Sequence, residues 1–268
     1  MLPSTTKESE TGGVAERIGA FWCRIPSLPN FGDALTPWLI HRLTGIYPAF
    51  VPPDQPRRKY FVAGSIIEYT RALCTVWGSG IMARHDQISP EAEFLAVRGP
   101  LTRARALQCG ASCPEIYGDP ALLLPGLYSP TSKSRQGMGL IAHFSDKPRL
   151  SPTLREKNLK LIDIQDPVES VIEQIVSCEF VASSSLHGII ASHAYGIPAV
   201  WVQFRSLPSG DGVKFDDYFL SIGEDPPTPV PLEYHYIDLA LLASRAAVPS
   251  MRMDLKPLLG ACPFRSAL

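Results

Sequence analysis

The sequence predicts an α/β protein built as two halves. Short apolar runs of strand length alternate with helical patterns, which implies mostly parallel sheets. The segment "PGLYSPTSKSRQG" (125–137) is rich in Ser, Pro and Gly and has no periodicity, and the alternation restarts after it. The 268 residues, 45% hydrophobic and 19% charged, can fill one large core or two smaller ones. The expected division is a flexible stretch over 1–17, a first half over 18–128 and a second over 138–268, with the linker at about 125–137. A ligand is expected in the cleft between the halves.

The elements follow in order. Residues 1–17 are polar, carry no secretory pattern and are expected to be loosely held. Ile18–Ile25 reads as a strand and "PSLPNFGD" as a loop. Ala34–Leu43 reads as a helix with Asp33 at its N-cap and Gly45 past its end. Apolar runs at Tyr60–Ile67, Thr75–Gly78, Phe94–Val97 and Glu115–Tyr117 read as further strands. "RGPLTRARALQCG" opens a helix with Pro100 in its first turn and ends it at Gly110. After the linker come strands at Met138–His143 and Leu159–Ile164, then a helix at Val168–Val176. A strand at Phe180–Ala182, a helix at Leu186–Tyr195 and a strand at Ala199–Val202 follow. A tail helix covers about Ile237–Ala247.

Composition excludes several classes. A net charge of −1 offers no basic face for nucleic acid. Six scattered cysteines lack metal-type spacing and read as reduced thiols in a cytosolic protein. No apolar run reaches the roughly 20 residues that span a bilayer. There is no P-loop, no His/Cys metal cluster and no Gly-x-Ser-x-Gly turn. The Gly-x-Gly of "WGSG" lacks the dinucleotide spacing. Neither metal nor cofactor is expected.

The chemistry-bearing residues gather where strands give way to helices, the ligand edge of such sheets. In "SSSLHGIIASHAYGIPAV", Ser183 or Ser184 caps a helix and His187 lies in its first turn, where free N–H groups suit an anion. Gly188 lets a ligand approach the backbone. His193 lies about 120° around that helix and reads as structural. Asp33 reads either as an N-cap or as a general base toward a hydroxyl. Arg98, at a strand end, is either a fork for carboxylate or phosphate or a salt bridge that pins the strand. His143 occupies a similar strand end. Lys214, with Asp216 and Asp217, reads as a solvated charge run or as a further cation for the site. Asp119, in "YGDPALLLP", reads as a turn residue. Arg98, His143, His187 and Lys214 together fit a small, highly charged anionic substrate.

The segments "NFGDALTPWLI", "AVRGPLT", "YGDPALLLP", "HFSD" and "SSSLHGIIASHAYGIPAVWV" occur in the order and spacing of the polysaccharide pyruvyl transferase family. The chain resembles that family from about Phe21 to Tyr218. Its length and "VKFDDY" segment are most similar to the exopolysaccharide ketal-pyruvate transferases of xanthan and succinoglycan synthesis. The resemblance implies two Rossmann-like domains facing across a cleft, in a GT-B-like arrangement. It also implies transfer of pyruvate from phosphoenolpyruvate to a terminal sugar of a lipid-linked repeat unit, with phosphate released. On that reading the catalytic residues are His187, Asp33 and His143. The substrate-binding set is Arg98, Ser184, Ser185, Gly188, Lys214 and Asn30. Family members commonly carry Arg directly before Leu-His, where this chain has Ser185. Lys214 or Arg205 replaces that charge, or the donor sits differently. The expected setting is the cytoplasm, at the inner face of the plasma membrane. Two other readings stay open: a GT-B-type glycosyltransferase using a sugar nucleotide, and an inactive carbohydrate-binding relative.

Overall fold

A computed structural model describes residues 17–24, 30–132, 134–150, 159–206, 210–249 and 254–264. The expected flexible stretch therefore lies, apart from Arg17, outside the described residues. The first half holds β1 (Gly19–Ala20), α1 (Phe31–Thr44), β2 (Ala49–Phe50), β3 (Lys59–Phe61), β4 (Cys74–Trp77), β5 (Glu93–Ala96), α2 (Pro100–Gln108) and the short α3 (Leu124–Leu127). The second half holds β6 (Met138–Ile141), β7 (Leu159–Leu161), α4 (Val168–Val176), β8 (Phe180–Ser183), α5 (Leu186–Ala194) and β9 (Ala199–Gln203). The chain continues through α6 (Val213–Ser221), β10 (Val230–Pro231), α7 (Leu239–Arg245) and α8 (Lys256–Gly260).

The strands form two five-stranded sheets, β2-β1-β3-β4-β5 and β10-β9-β8-β6-β7. Every neighbouring pair of named strands is parallel. Counted from its own first strand, each sheet has the order 2-1-3-4-5, one of the two common orders of doubly wound sheets. Strand order reverses direction between β1 and β3 in one sheet and between β6 and β8 in the other. In open α/β sheets ligands bind outside the carboxyl ends of the strands at such a switch point. Here there are two.

Local chemistry sets the helix ends. Asn30, not Asp33, caps α1, and its side chain accepts the Asp33 N–H. Asp33 is thus inside the first turn, where a carboxylate meets the positive end of the helix dipole. Gly45 closes the helix at φ 73° and donates back to the His41 carbonyl, as expected of a glycine past the end. In α4, Val171, Ile172 and Ile175 are fully buried, each contributing about 1.5–3 kcal/mol of apolar burial.

Several sequence expectations needed correction. The expected strand at Ile18–Ile25 pairs as β1 only at Gly19–Ala20, and Ile25 lies outside the described residues. Glu115–Tyr117 forms a single bridge, Val97 to Tyr117. The charge run at 213–221 is the helix α6.

One hydrophobic core joins the halves. It runs from Phe31, Leu35 and Leu39 of α1 through Ile172 and Ile175 of α4 to Ile189 and Ile190 of α5. At the rim the Trp38 indole N–H donates to Glu169 (2.6 Å) and the Phe31 N–H to the Ile164 carbonyl (2.6 Å). Two late elements pack on the first half. Helix α6 lies against α2, and the Trp77 indole N–H bonds the Leu258 carbonyl of α8 (2.9 Å). Among the described residues, no helix is long and apolar enough to cross a membrane.

Candidate active site

A cleft of about 400 Å³ opens where the two switch points meet. After β1 the first half contributes Cys23, Asn30 and Asp33, and after β3 it contributes Gly64, Ser65 and Ile66. The second half contributes His143 and Phe144 after β6, and Ser185, Leu186 and His187 after β8. Lys214 enters from α6. Of the sequence-predicted set, Asn30, Asp33, His143, Ser185, His187 and Lys214 converge here. Arg98, Ser184 and Gly188 do not line the cleft.

Asn30 holds Asp33 twice. Its Oδ1 accepts the Asp33 N–H (3.1 Å), and its amide donates to the Asp33 carboxylate (2.5 Å). Burial pushes the Asp33 carboxyl up to about 6, against the opposing pull of His187 and of these hydrogen bonds. A carboxyl in that range can both take and return a proton near neutrality.

His187 stands against Asp33 on the same wall. Its Nδ1 side packs against Gly32, where a Cβ would collide with the ring. The other side of the ring meets Asp119, a turn residue by its local sequence. Asp119 is fully buried, and its Oδ1 accepts the Ala121 N–H (2.9 Å), so it does cap a turn. Its second oxygen lies 3.5 Å from His187 Nε2.

His143 follows directly from strand register. β6 pairs with β8 up to Ile141 opposite Ser183, and the Ser184 N–H then reaches the Ile141 carbonyl (3.0 Å). Ser184 Oγ accepts the His143 N–H (2.8 Å), so Ser184 positions His143 rather than facing the cleft. The His143 Nδ1 meets Ser145 Oγ at 2.9 Å. Burial, with the cations of Lys214 and Arg205 beside it, pushes His143 down to about 4. It is therefore a neutral hydrogen-bonding group at pH 7. Lys214 is pushed down to about 8 by burial and by the charge of Arg98, and remains mostly cationic at neutral pH. Its Nζ rests 3.8 Å from Met82 Sδ. Arg205 is held by Asp146 (2.7 Å) and Ser145 (2.9 Å).

The structure selects the salt-bridge reading of Arg98. Its guanidinium is fully buried, and each of its three nitrogens has a partner. Nε donates to Asp217 (2.9 Å), one terminal nitrogen to Ser65 Oγ (2.7 Å) and the other to the Ile81 carbonyl (2.7 Å). Asp217 also accepts from the Thr102 N–H (2.9 Å) and hydroxyl (2.7 Å). "RGPLT" is thus a receptor for the aspartate of "VKFDDY". A Cβ at Gly99 would collide with Asp217. The latch seats α6, and with it Lys214, beside the cleft.

The serines also shift role. Ser185 is the N-cap residue of α5. Ser183 Oγ accepts the Ser185 N–H (3.1 Å) and donates to its carbonyl (2.8 Å), so neither Ser183 nor Ser184 is the cap. Gly188 packs on Ser183 and Ile141, with no room for a Cβ. It serves the approach of helix to sheet, not of ligand. His193 is buried, and its Nδ1 meets the Tyr218 hydroxyl (2.9 Å), as the structural reading expected. A larger cavity, about 610 Å³, lies beside Trp201, Phe219 and Pro229, and none of the sequence-predicted site residues lines it. Size alone does not mark the site. No cluster of His, Cys, Asp and Glu suited to a metal occurs among the described residues, and no disulfide links the six cysteines.

The family model for polysaccharide pyruvyl transferase matches residues 52–203, more than half of the chain. The chain belongs to that family. The matched region includes Asp119, His143 and the Ser183–Gly188 segment, and Asn30, Asp33 and Lys214 lie outside it. Among curated relatives, the succinoglycan biosynthesis protein ExoV of Rhizobium meliloti is 27% identical over 72% of this chain and 62% of its own length. The uncharacterized protein L143 of Acanthamoeba polyphaga mimivirus is 31% identical over 60% of this chain and 58% of its own. The chain spans about three fifths of the length of these relatives.

Proposed function

We propose that the chain transfers pyruvate from phosphoenolpyruvate to a terminal sugar of a lipid-linked exopolysaccharide unit, forming a cyclic ketal and releasing phosphate. The observation that carries this reading is the convergence of Asp33, His187, His143 and Lys214 at two facing switch points. The family and the succinoglycan relative support the acceptor class.

The proton ledger fits these groups. The methylene carbon of the donor gains a proton, and C2 becomes electrophilic. A sugar hydroxyl adds at C2 and gives up its proton. Phosphate leaves with its C–O bond electrons, and the second hydroxyl closes the ring and loses its proton. Two protons leave the sugar; one ends on the new methyl group and one on phosphate. His187 supplies the proton to carbon or to the leaving phosphate. Asp33 takes the proton of the attacking hydroxyl. Neutral His143 hydrogen-bonds the phosphate. Lys214 gives the donor its cation and takes the place of the family arginine at Ser185, because Arg98 and Arg205 are already engaged. The setting is the cytoplasm, at the inner membrane face where such acceptors are built. The donor is a substrate, and the proposed reaction uses no cofactor.

The test is phosphate release from phosphoenolpyruvate with mannose-, glucose- and galactose-terminated acceptors. Acceptor-dependent release, with the acceptor gaining the mass of a pyruvate ketal, is expected. Binding of a sugar nucleotide and none of phosphoenolpyruvate would replace this reading with a glycosyltransferase. Binding of neither would favour an inactive relative.

A further inference from the structure

We propose that Asp119 is a positioning residue that fixes the His187 ring with a proton on Nε2, leaving Nδ1 as the cleft-side nitrogen, a lone pair that must take up a proton before His187 can deliver one to the donor. Its effect on turnover rests on the transfer reading above; the tautomer does not.

The argument starts from two buried atoms. Asp119 Oδ2 and His187 Nε2 face each other at 3.5 Å, and neither has a hydrogen-bond partner. Buried polar atoms are almost always satisfied. An ionised carboxylate can only accept, so a proton on Nε2 satisfies both atoms once the pair draws together. The opposite tautomer would set lone pair against lone pair, with no water between them. Neither partner can turn away. Asp119 is anchored through Oδ1 on the Ala121 N–H (2.9 Å), and the His187 ring is pressed onto Gly32. The groups facing His187 are Asp33 from α1, Asp119 from the turn before α3, and Lys214 and His143 across the cleft. The charge of Asp119 also reaches the Tyr218 hydroxyl of α6, itself bonded to His193. The pair joins a turn of the first half to a helix of the second.

Nitrogen NMR of the histidine rings in the full chain tests this, with the His187 signals assigned by their loss in His187→Gln. The expected wild-type spectrum shows neutral His187 as the Nε2–H tautomer. Asp119→Asn keeps the Ala121 bond through its carbonyl oxygen and turns its amide toward Nε2, so the proton should move to Nδ1. Turnover should then fall by up to about 10⁴-fold, the scale seen when a buried aspartate behind a catalytic histidine becomes asparagine. KM for phosphoenolpyruvate should stay within a few-fold. A wild-type ring protonated on Nδ1, or an Asp119→Asn chain that keeps both tautomer and turnover, would overturn the proposal. If Asp119→Asn does not accumulate as folded protein, the wild-type spectrum decides alone. A wild-type Nε2–H ring in a chain inert toward phosphoenolpyruvate would uphold the role of Asp119 and remove the transfer reading.

Discussion

Asp33 and Lys214 titrate on opposite sides of neutrality, and this sets the pH behaviour of the site. As a base, Asp33 must be ionised, so kcat/KM should rise as pH climbs through about 6. Lys214 must be charged to hold the donor, so kcat/KM should fall as pH climbs through about 8. A bell-shaped profile with those two limbs is expected, and Lys214→Arg should move the alkaline limb upward, since guanidinium stays charged. A flat profile between pH 5 and 9 would remove both assignments. Asp33 also carries a stability cost. Between its ordinary pKa of 3.8 and about 6, the native chain holds a proton that the unfolded chain has lost, so the contribution of Asp33 to stability falls as pH rises through that window. Asp33→Asn should therefore lower turnover about 10²–10⁴-fold while raising unfolding free energy at pH 7 by about 1–2 kcal/mol, read by urea titration. His143, pushed to about 4, acts in the opposite sense: its neutral burial is lost as a stabilising feature when pH falls from 6.5 toward 4. At this scale the sequence showed His187 and Asp33 because each sits at a strand-to-helix junction. It hid Asp119, since a capping aspartate uses one oxygen and nothing local announces what the other meets.

Helix α6 shows how one element can be misread. Its charges follow a glycine-rich loop and look solvated, yet Asp217 is fully buried against Arg98. Local pattern cannot reveal a partner 119 positions away. The same buried pair separates the two readings of Arg98, which no strand-end argument could do. Removing one member of a buried ion pair costs about 3–5 kcal/mol. Asp217→Asn and Arg98→Met should each lose that much stability in urea unfolding. Under conditions where they remain folded, both should raise KM for phosphoenolpyruvate, because Lys214 rides on the same helix. Unchanged KM in a folded Asp217→Asn chain would show that the latch does not place Lys214. By contrast, α4 and α5 were legible almost to the residue, since each carries its apolar residues through about two and a half turns. The two-residue strands β1, β2 and β10 are shorter than any period that could betray them.

The whole molecule repeats one strand order in two sheets, and no sequence repeat announced it. Strand order is set by which edges pair, and parallel pairing leaves only short apolar runs that look alike everywhere. The alternation was nevertheless readable, and with it the α/β class. A single core crosses between the sheets, so thermal unfolding should be one transition with calorimetric and van't Hoff enthalpies in agreement. Two resolved transitions would show that the halves melt separately. The same layout bears on how this chain could be recombined. A chimaera spliced at residues 125–137 would take its arginine from one parent and the matching aspartate from the other. Parents lacking either partner would yield a hybrid with an orphaned charge in its interior, so crossovers at the most permissive-looking loop are safe only between sequences that both keep the pair.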